Sequence, residues 1–314
     1  MATASYLHDA LFYRSDDELL AAAVPFLRAG LDLGELAMVV CTPRNATLLA
    51  DGLNGDPRLR LVPHTEVYQQ RTPAVISAYR QMMERERAAG TGRIRVVGEV
   101  DFVASPANWA EWSRYEAVCN VALAPYPLWG MCLYDTRRLP SEVLLAAELT
   151  HPYVVTASSR TSNPRYVDPA DFLRRSTRTG PNPLEATQPT LETDVLTDLA
   201  MFRHDIRTAL AGSALSAAAV DDLVLAISEL VTNAVLHGQP PVQVRLWSTS
   251  NRLLCTITDQ GPGFDDPLAG YLPAGGKYLA HGGRGLWLAR QLCDQLDTYR
   301  TPEGFTVRLA IGGG

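Results

Sequence analysis

Residues 227–238 read ISELVTNAVLHG, and they belong to a longer apolar rhythm. Val220, Leu223, Val224, Ile227, Leu230, Val231, Ala234 and Val235 recur at the spacing of a helical seam, and such a seam must face a core. Glu229 and Asn233 are four positions apart, so they stack on one face. At about 100° per residue that face lies roughly opposite the seam. A polar pair there is either a solvated surface or, because Leu225, Ala226 and Leu236 flank it, a second covered face whose polar groups need a ligand. Two glycine-bearing boxes follow, Asp259-Gln-Gly261-Pro-Gly263 and Gly282-Gly283-Arg284-Gly285-Leu286. Without side chains, Gly261 and Gly263 let backbone approach a planar base, while a carboxylate at a strand end accepts an amino hydrogen bond. Amides at a glycine-rich helix N-terminus bind phosphate without side chains.

With these three boxes in this order, residues from about 191 to the end resemble the ATPase domain shared by gyrase, heat-shock chaperones, histidine kinases and anti-sigma-factor kinases (the GHKL, HATPase or Bergerat fold). The resemblance implies bound ATP and Mg2+. It makes Asn233 the magnesium ligand, Glu229 the general base and Asp259 the acceptor of the adenine amino group. Gly261, Gly263, Gly283, Arg284, Gly285 and Leu286 then complete the nucleotide site.

The elements around the boxes are consistent with an α/β domain over residues 193–314. Residues 242–246 and 253–257 alternate as a hairpin, the second strand delivering Asp259. Residues 264–284 hold five glycines, are too long for an incidental connection, and read as a lid. A helix with the seam Leu286, Ala289, Leu292, Cys293 and Leu296 follows, then a strand through Phe305, Val307, Leu309 and Ile311, giving helices on one face of a mixed sheet. The lid carries Lys277, the only lysine among 28 basic residues. A rotatable point charge there can follow a phosphate. Ala274-Gly-Gly-Lys277-Tyr278 is not a P-loop, because no glycine stands five residues before Gly276 and Tyr278 is neither Ser nor Thr.

Phe202-Arg-His204-Asp-Ile-Arg207 invites comparison with the phospho-accepting box of sensor histidine kinases. Only 24 residues lie between His204 and Glu229, enough for one helix and a turn but too few for a dimerisation hairpin. His204 is expected to be an exposed residue of that first helix.

The N-terminal half, residues 1–173, has a different texture. A capping box, Ser15-Asp-Asp-Glu18, opens a helix through Leu27 that ends at Gly30, with Pro25 expected to kink it. Apolar runs at 36–41, 59–62, 94–100, 131–134 and 153–155 alternate with helical stretches at 45–53, 73–89, 106–123 and 140–149. That alternation predicts a RecA-like parallel sheet with helices on both sides. The segment after the run at 36–41, Val40-Cys-Thr-Pro-Arg-Asn45, has no glycine, so such a sheet has no phosphate loop there. Gly34-Glu35, Arg95-Val-Val-Gly-Glu99, Trp112-Ser-Arg-Tyr-Glu116 and Leu133-Tyr-Asp135 resemble the MEDS sensory domain of methanogen, methylotroph and actinobacterial regulators, implying a sensor with an unknown small-molecule ligand. Glu99, Asp101 and Asp135 near strand ends are either ligand contacts or caps and surface charges. Trp109, Trp112 and Tyr115 share a helical face and are expected to be core. The six histidines show no metal-ligand spacing, and no catalytic constellation is visible in this half.

Residues 174–192, with three prolines and no apolar period, read as a linker. A net charge of −6 with no basic block argues against a nucleic-acid partner. The lack of an apolar run of about 18 residues or of a signal peptide argues for a cytoplasmic protein. Five scattered cysteines read as reduced thiols. The combined expectation is a cytoplasmic regulator: a MEDS-type sensor joined to an ATP-dependent serine/threonine kinase of the anti-sigma type. Its partners would be a sigma factor and an antagonist protein, with a homodimer left open. The alternatives are an ATP-binding sequestration module without kinase activity and a histidine-kinase-like signalling protein.

Overall fold

The structure is a computed structural model that describes residues 6–68, 71–100, 109–177, 179–194, 199–272 and 283–312. It divides into two compact units, Met1–Phe172 and Leu173–Gly314. No helix among the described residues is long and apolar enough to cross a membrane.

The first unit runs β1 (Leu7–Tyr13), α1 (Asp16–Asp32), β2 (Leu36–Val40), α2 (Pro43–Gly52), β3 (Arg60–Leu61), α3 (His64–Tyr68), α4 (Thr72–Ala88), β4 (Ile94–Gly98), α5 (Trp109–Ala122), β5 (Leu128–Asp135), α6 (Ser141–Thr150), β6 (Tyr153–Val155) and β7 (Arg160–Ser162). The strands form one sheet in the order β3-β2-β4-β5-β1-β6-β7, parallel throughout except for the β6–β7 pair. Leu11, Leu19, Leu27, Val39, Val97 and Met131 share one core cluster, each side chain gaining roughly 1.5–3 kcal/mol from burial.

Sequence patterning does not pick out β1, although it lies inside the sheet between β5 and β6. Two adjacent polar residues, His8 and Asp9, interrupt its apolar pattern, yet both are buried. Asp9 can be buried because Arg160 clasps its two oxygens at 2.8 and 2.9 Å and Trp129 Nε1 donates at 2.8 Å. The turn leaving β1 is therefore the place to look for a phosphate loop, rather than the one after β2. It contains no glycine, and it opens α1 with Asp16, Asp17 and Glu18, whose charges repel an anion.

Ser15 caps α1, accepting from Glu18 N at 3.1 Å, while Glu18 reaches back to Arg14 N rather than to the cap residue. The helix continues through Pro25 to Asp32, past the expected end at Gly30.

The second unit opens within α7 (Pro169–Ser176) and continues through β8 (Leu191–Thr193), α8 (Leu199–Leu210), α9 (Ala217–His237), β9 (Gln243–Ser248), β10 (Leu253–Asp259), α10 (Gly283–Leu292), β11 (Gln295–Thr301) and β12 (Gly304–Ile311). Its sheet has the order β11-β12-β10-β9-β8, and every pair is antiparallel, not mixed as expected. Val244, Leu246, Cys255, Ile257 and Leu309 meet Phe202, Ile206, Ile227, Val231, Leu286 and Ala289 of the helices in a single core. Leu296 is buried as expected, but in β11 rather than in the preceding helix, which stops at Leu292.

Of the stretch read as a linker, residues 179–192 are attached to the sheet. Arg308, buried on the sheet, donates to Gly180 O at 2.7 Å and to Glu185 at 3.1 Å, and Trp247 Nε1 donates to Thr187 O at 3.0 Å. Thr190 N then bonds Leu246 O, and Leu191 begins the strand paired with β9. The alternation of β9 and β12 points Trp247 and Arg308 away from the helices, so this stretch covers the second face of the sheet. Its prolines and Ser/Thr residues conceal that attachment, because the anchoring side chains belong to distant strands.

Candidate nucleotide site

Ser216 caps α9, accepting from Ala219 N at 3.2 Å. The helix buries Leu223, Val224, Ile227, Leu230, Val231 and Ala234 as its seam. Val235, assigned to that seam from sequence, is instead exposed, as are Leu225 and Leu236, so the second face is only partly covered. Glu229 and Asn233 are half-buried on it. Gly285 in the first turn of α10 lies against them: a Cβ there would stand 2.7 Å from Asn233 Nδ2 and 3.4 Å from Glu229 Oε2. Any larger residue would push the two helices or these side chains apart.

At the end of β10, Asp259 is buried and its Oδ1 accepts from Gly261 N at 2.7 Å and Gln239 N at 3.2 Å. Two backbone amides fix the carboxylate's orientation. Gly261 is required sterically, and Gly263 both sterically and conformationally. A Cβ on Gly261 would lie 2.6 Å from Asp259 Oδ1, and one on Gly263, at φ +58°, would run into the Phe305 ring at 2.2 Å.

Two further residues belong to the same construction, Gly238 at the end of the first box and Phe305, which no box marks. Gly238 ends α9 where a Cβ would strike Asp259 at 2.4 Å, and Phe305 of β12 packs against Phe264 with the rings tilted and centroids 5.0 Å apart. Gly238 had a signal, its place straight after the apolar helix; Phe305 had none beyond its strand.

A cavity of about 660 Å³ joins these parts. Asn233 borders it, Asp259 and Gly263 line it, and Leu230, Ile257 and Leu286 supply apolar wall. That volume suits a ligand of nucleotide size, and an apolar cleft with a few fixed polar groups is the usual form of such a site. Residues 264–272 of the expected lid contribute Phe264, Leu268 and Gly270. Arg290 anchors this segment by donating to Ala269 O at 3.0 Å and lying 3.9 Å over the Tyr271 ring. Glu229 does not line the cavity; it stands beside Asn233 and Gly285 at the start of α10. Lys277 and Gly282 lie outside the described residues, and the backbone of Gly283 and Arg284 forms the opening of α10. His204 is exposed on α8, a single helix of 12 residues, as its spacing implied.

In the first unit, Glu99 is a cap rather than an open ligand contact. It accepts from Thr42 N at 3.0 Å, Thr42 Oγ1 at 2.7 Å and Asn45 Nδ2 at 2.8 Å. Asp135 is clasped by Arg137 at 2.7 and 2.8 Å, which holds its carboxyl below the usual range. Asp101 lies outside the described residues. Trp112 and Tyr115 are buried and pack edge-on, while Trp109 is half-buried against a small cluster containing Ala117, Ala146 and Phe172.

Comparison with known families assigns the class of each unit. Residues 7–152 match MEDS, the methanogen/methylotroph DcmR sensory domain, and residues 193–311 match the histidine kinase-like ATPase domain. The chain joins a MEDS domain to a histidine kinase-like ATPase domain. Among curated proteins it is similar to the serine-protein kinase RsbW of Bacillus velezensis, 34% identical over 101 residues, 29% of this chain. The match spans 62% of that relative's length.

Proposed function

We propose that the C-terminal domain binds ATP with magnesium and transfers the terminal phosphoryl group to a serine or threonine of a protein partner, under control of the MEDS domain. The observation that carries this reading is the fit of the cavity. A fixed carboxylate, Asp259, stands within it, and Asn233 and Glu229 meet the glycine-opened N-terminus of α10. Bound ATP supplies the phosphoryl group, and Mg2+ offsets the charge of its phosphates.

Asp259 accepts the adenine amino group, with Gly261 and Gly263 leaving room for the base. Asn233 presents its amide oxygen to the magnesium ion. The first-turn amides of α10, around Gly283, Arg284, Gly285 and Leu286, hold phosphate oxygens. Glu229 takes the proton of the attacking hydroxyl while its oxygen bonds the terminal phosphorus and the bond to the ADP oxygen breaks. The similarity to RsbW, a serine-protein kinase, supports this acceptor class. The resemblance to anti-sigma kinases points to a sigma factor and an antagonist as cytoplasmic partners.

Two variants test the reading. Asn233→Ala is expected to abolish magnesium-dependent ATP binding in calorimetry run with and without chelator, and unchanged affinity in magnesium would sink that role. Glu229→Ala should bind ATP yet lose phosphotransfer to an antagonist captured from the native host by about 10²–10⁴-fold. If parent and variant alike bind ATP and neither labels any protein, the domain is a sequestration module.

A further inference from the structure

The first unit holds a buried cluster that sequence spacing does not reveal. His8 of β1, Glu116 of α5, Cys132 of β5 and His151 at the end of α6 bring one ligand atom each to within 4.8 Å of one another. His8 pairs with Gly130 in register, so His8 and Cys132 emerge on the same face of the sheet, where Glu116 and His151 meet them.

Both imidazoles are oriented from behind. Asn120 uses its amide nitrogen on Thr150 O at 2.8 Å and Glu116 O at 3.1 Å, so its Oδ1, 3.1 Å from His8 Nδ1, accepts a hydrogen bond from that ring's N–H. His151 Nδ1 lies 2.8 Å from Ala147 O, which can only accept. Each ring therefore carries its hydrogen on Nδ1 and turns an Nε2 lone pair into the cluster.

The donors in this network, the Cys132 thiol and Tyr134, are directed to Glu116 and not to His151. Glu116 Oε2 is 3.2 Å from His8 Nε2 but 3.7 Å from His151 Nε2, and Cys132 Sγ is 3.4 Å from His8 Nε2. Among the described residues, Nε2 of the wholly buried His151 has no hydrogen-bond partner. A buried acceptor left in that state is costly and unusual.

We propose that this unit binds one divalent transition-metal ion of the zinc class through His8 Nε2, His151 Nε2, Cys132 Sγ and a Glu116 carboxylate oxygen. Zinc bonds of about 2.0–2.3 Å in a tetrahedron put neighbouring ligand atoms roughly 3.3–3.7 Å apart. Four of the six separations, 3.2, 3.4, 3.7 and 3.9 Å, are close to that, and the other two lie within 4.8 Å. A thiolate and a carboxylate cancel the charge of a divalent ion, so the filled site is neutral in its buried setting. Asn120 and the Ala147 carbonyl hold the rings as outer partners of metal-bound histidines do. A cavity of about 30 Å³ bordered by Tyr68, Tyr79 and Tyr115 adjoins the cluster and has room for a water.

Cobalt is the probe. Co2+ added to the 314-residue chain, purified with chelator and dialysed, should bind one per chain, with the intense d–d bands of tetrahedral coordination and a thiolate-to-cobalt charge-transfer band. Zn2+ should displace it and raise the melting temperature. Cys132→Ser should erase the charge-transfer band, whereas Cys119→Ser, altering a cysteine of the same cavity wall, should keep it. Asn120→Ala should weaken binding 10- to 100-fold. In the unmutated chain, metal should also shield Cys132 from alkylation, read by mass spectrometry, a measurement that needs no variant to fold. Failure to take up one ion per chain overturns the proposal. So does a cobalt spectrum unchanged in Cys132→Ser, or alkylation of Cys132 unaffected by metal.

Discussion

At the scale of single residues, glycines decide where the nucleotide site can exist. Gly285 lets α10 approach α9 closely, since the nearest atom to an added Cβ is Asn233 Nδ2 at 2.7 Å. Gly285→Ala is expected to cost about 1–3 kcal/mol, through displacement of Asn233. Calorimetry should then show at least a tenfold loss of magnesium-ATP affinity while circular dichroism stays unchanged. Lys277 enters as a residue of sequence only. If its compact charge meets the β- or γ-phosphate, Lys277→Ala lowers the ratio of ATP to ADP affinity relative to the parent. Identical ratios in the parent, Lys277→Ala and Lys277→Arg would return it to the solvated surface.

At the scale of elements, α9 does most of the positioning, because its buried seam docks on the sheet and so sets the height of Glu229 and Asn233 above it. The first turn of α9 is tied by Ser216 to Ala219 N. Ser216→Ala should lower the stability of the second unit by about 1 kcal/mol, the usual worth of such a cap. Urea unfolding followed through Trp247, buried on β9, would report it as a lower midpoint with an unchanged slope. No change would mean that packing alone fixes the start of the helix.

At the scale of the whole molecule, the boundary between the units matters more than the appearance of the stretch after it. Residues 179–194 satisfy the buried Arg308 and pair with β9, so they are part of the ATPase unit's structure. A fragment of residues 173–314 is expected to fold and keep nucleotide affinity. One beginning at residue 194 removes Glu185 and the Gly180 carbonyl from Arg308, and breaking a buried ion pair costs roughly 3–5 kcal/mol. Thermal unfolding of the two fragments side by side decides the matter: equal melting temperatures would make the stretch a linker after all.

The sequence alone was enough to determine what depends on near neighbours. The seam of α9, the stacking of Glu229 on Asn233, the strand that ends at Asp259 and the glycine turns each lie within a few residues, where helical or strand periodicity acts directly. The alternation that announced a parallel sheet is local in the same sense. Only the tertiary structure decided what depends on remote partners. It placed His8 and Asp9 inside a central strand, which a reading by apolar run passes over, because Arg160 and Trp129 supply the hydrogen bonds that permit their burial. It fastened residues 179–194 to the sheet through Arg308 and Trp247, and it exposed Val235 at the end of an otherwise buried seam. It also gathered His8, Glu116, Cys132 and His151 from four elements, a meeting that no spacing along the chain encodes, since the ligand atoms become neighbours only when the sheet and its covering helices close over them.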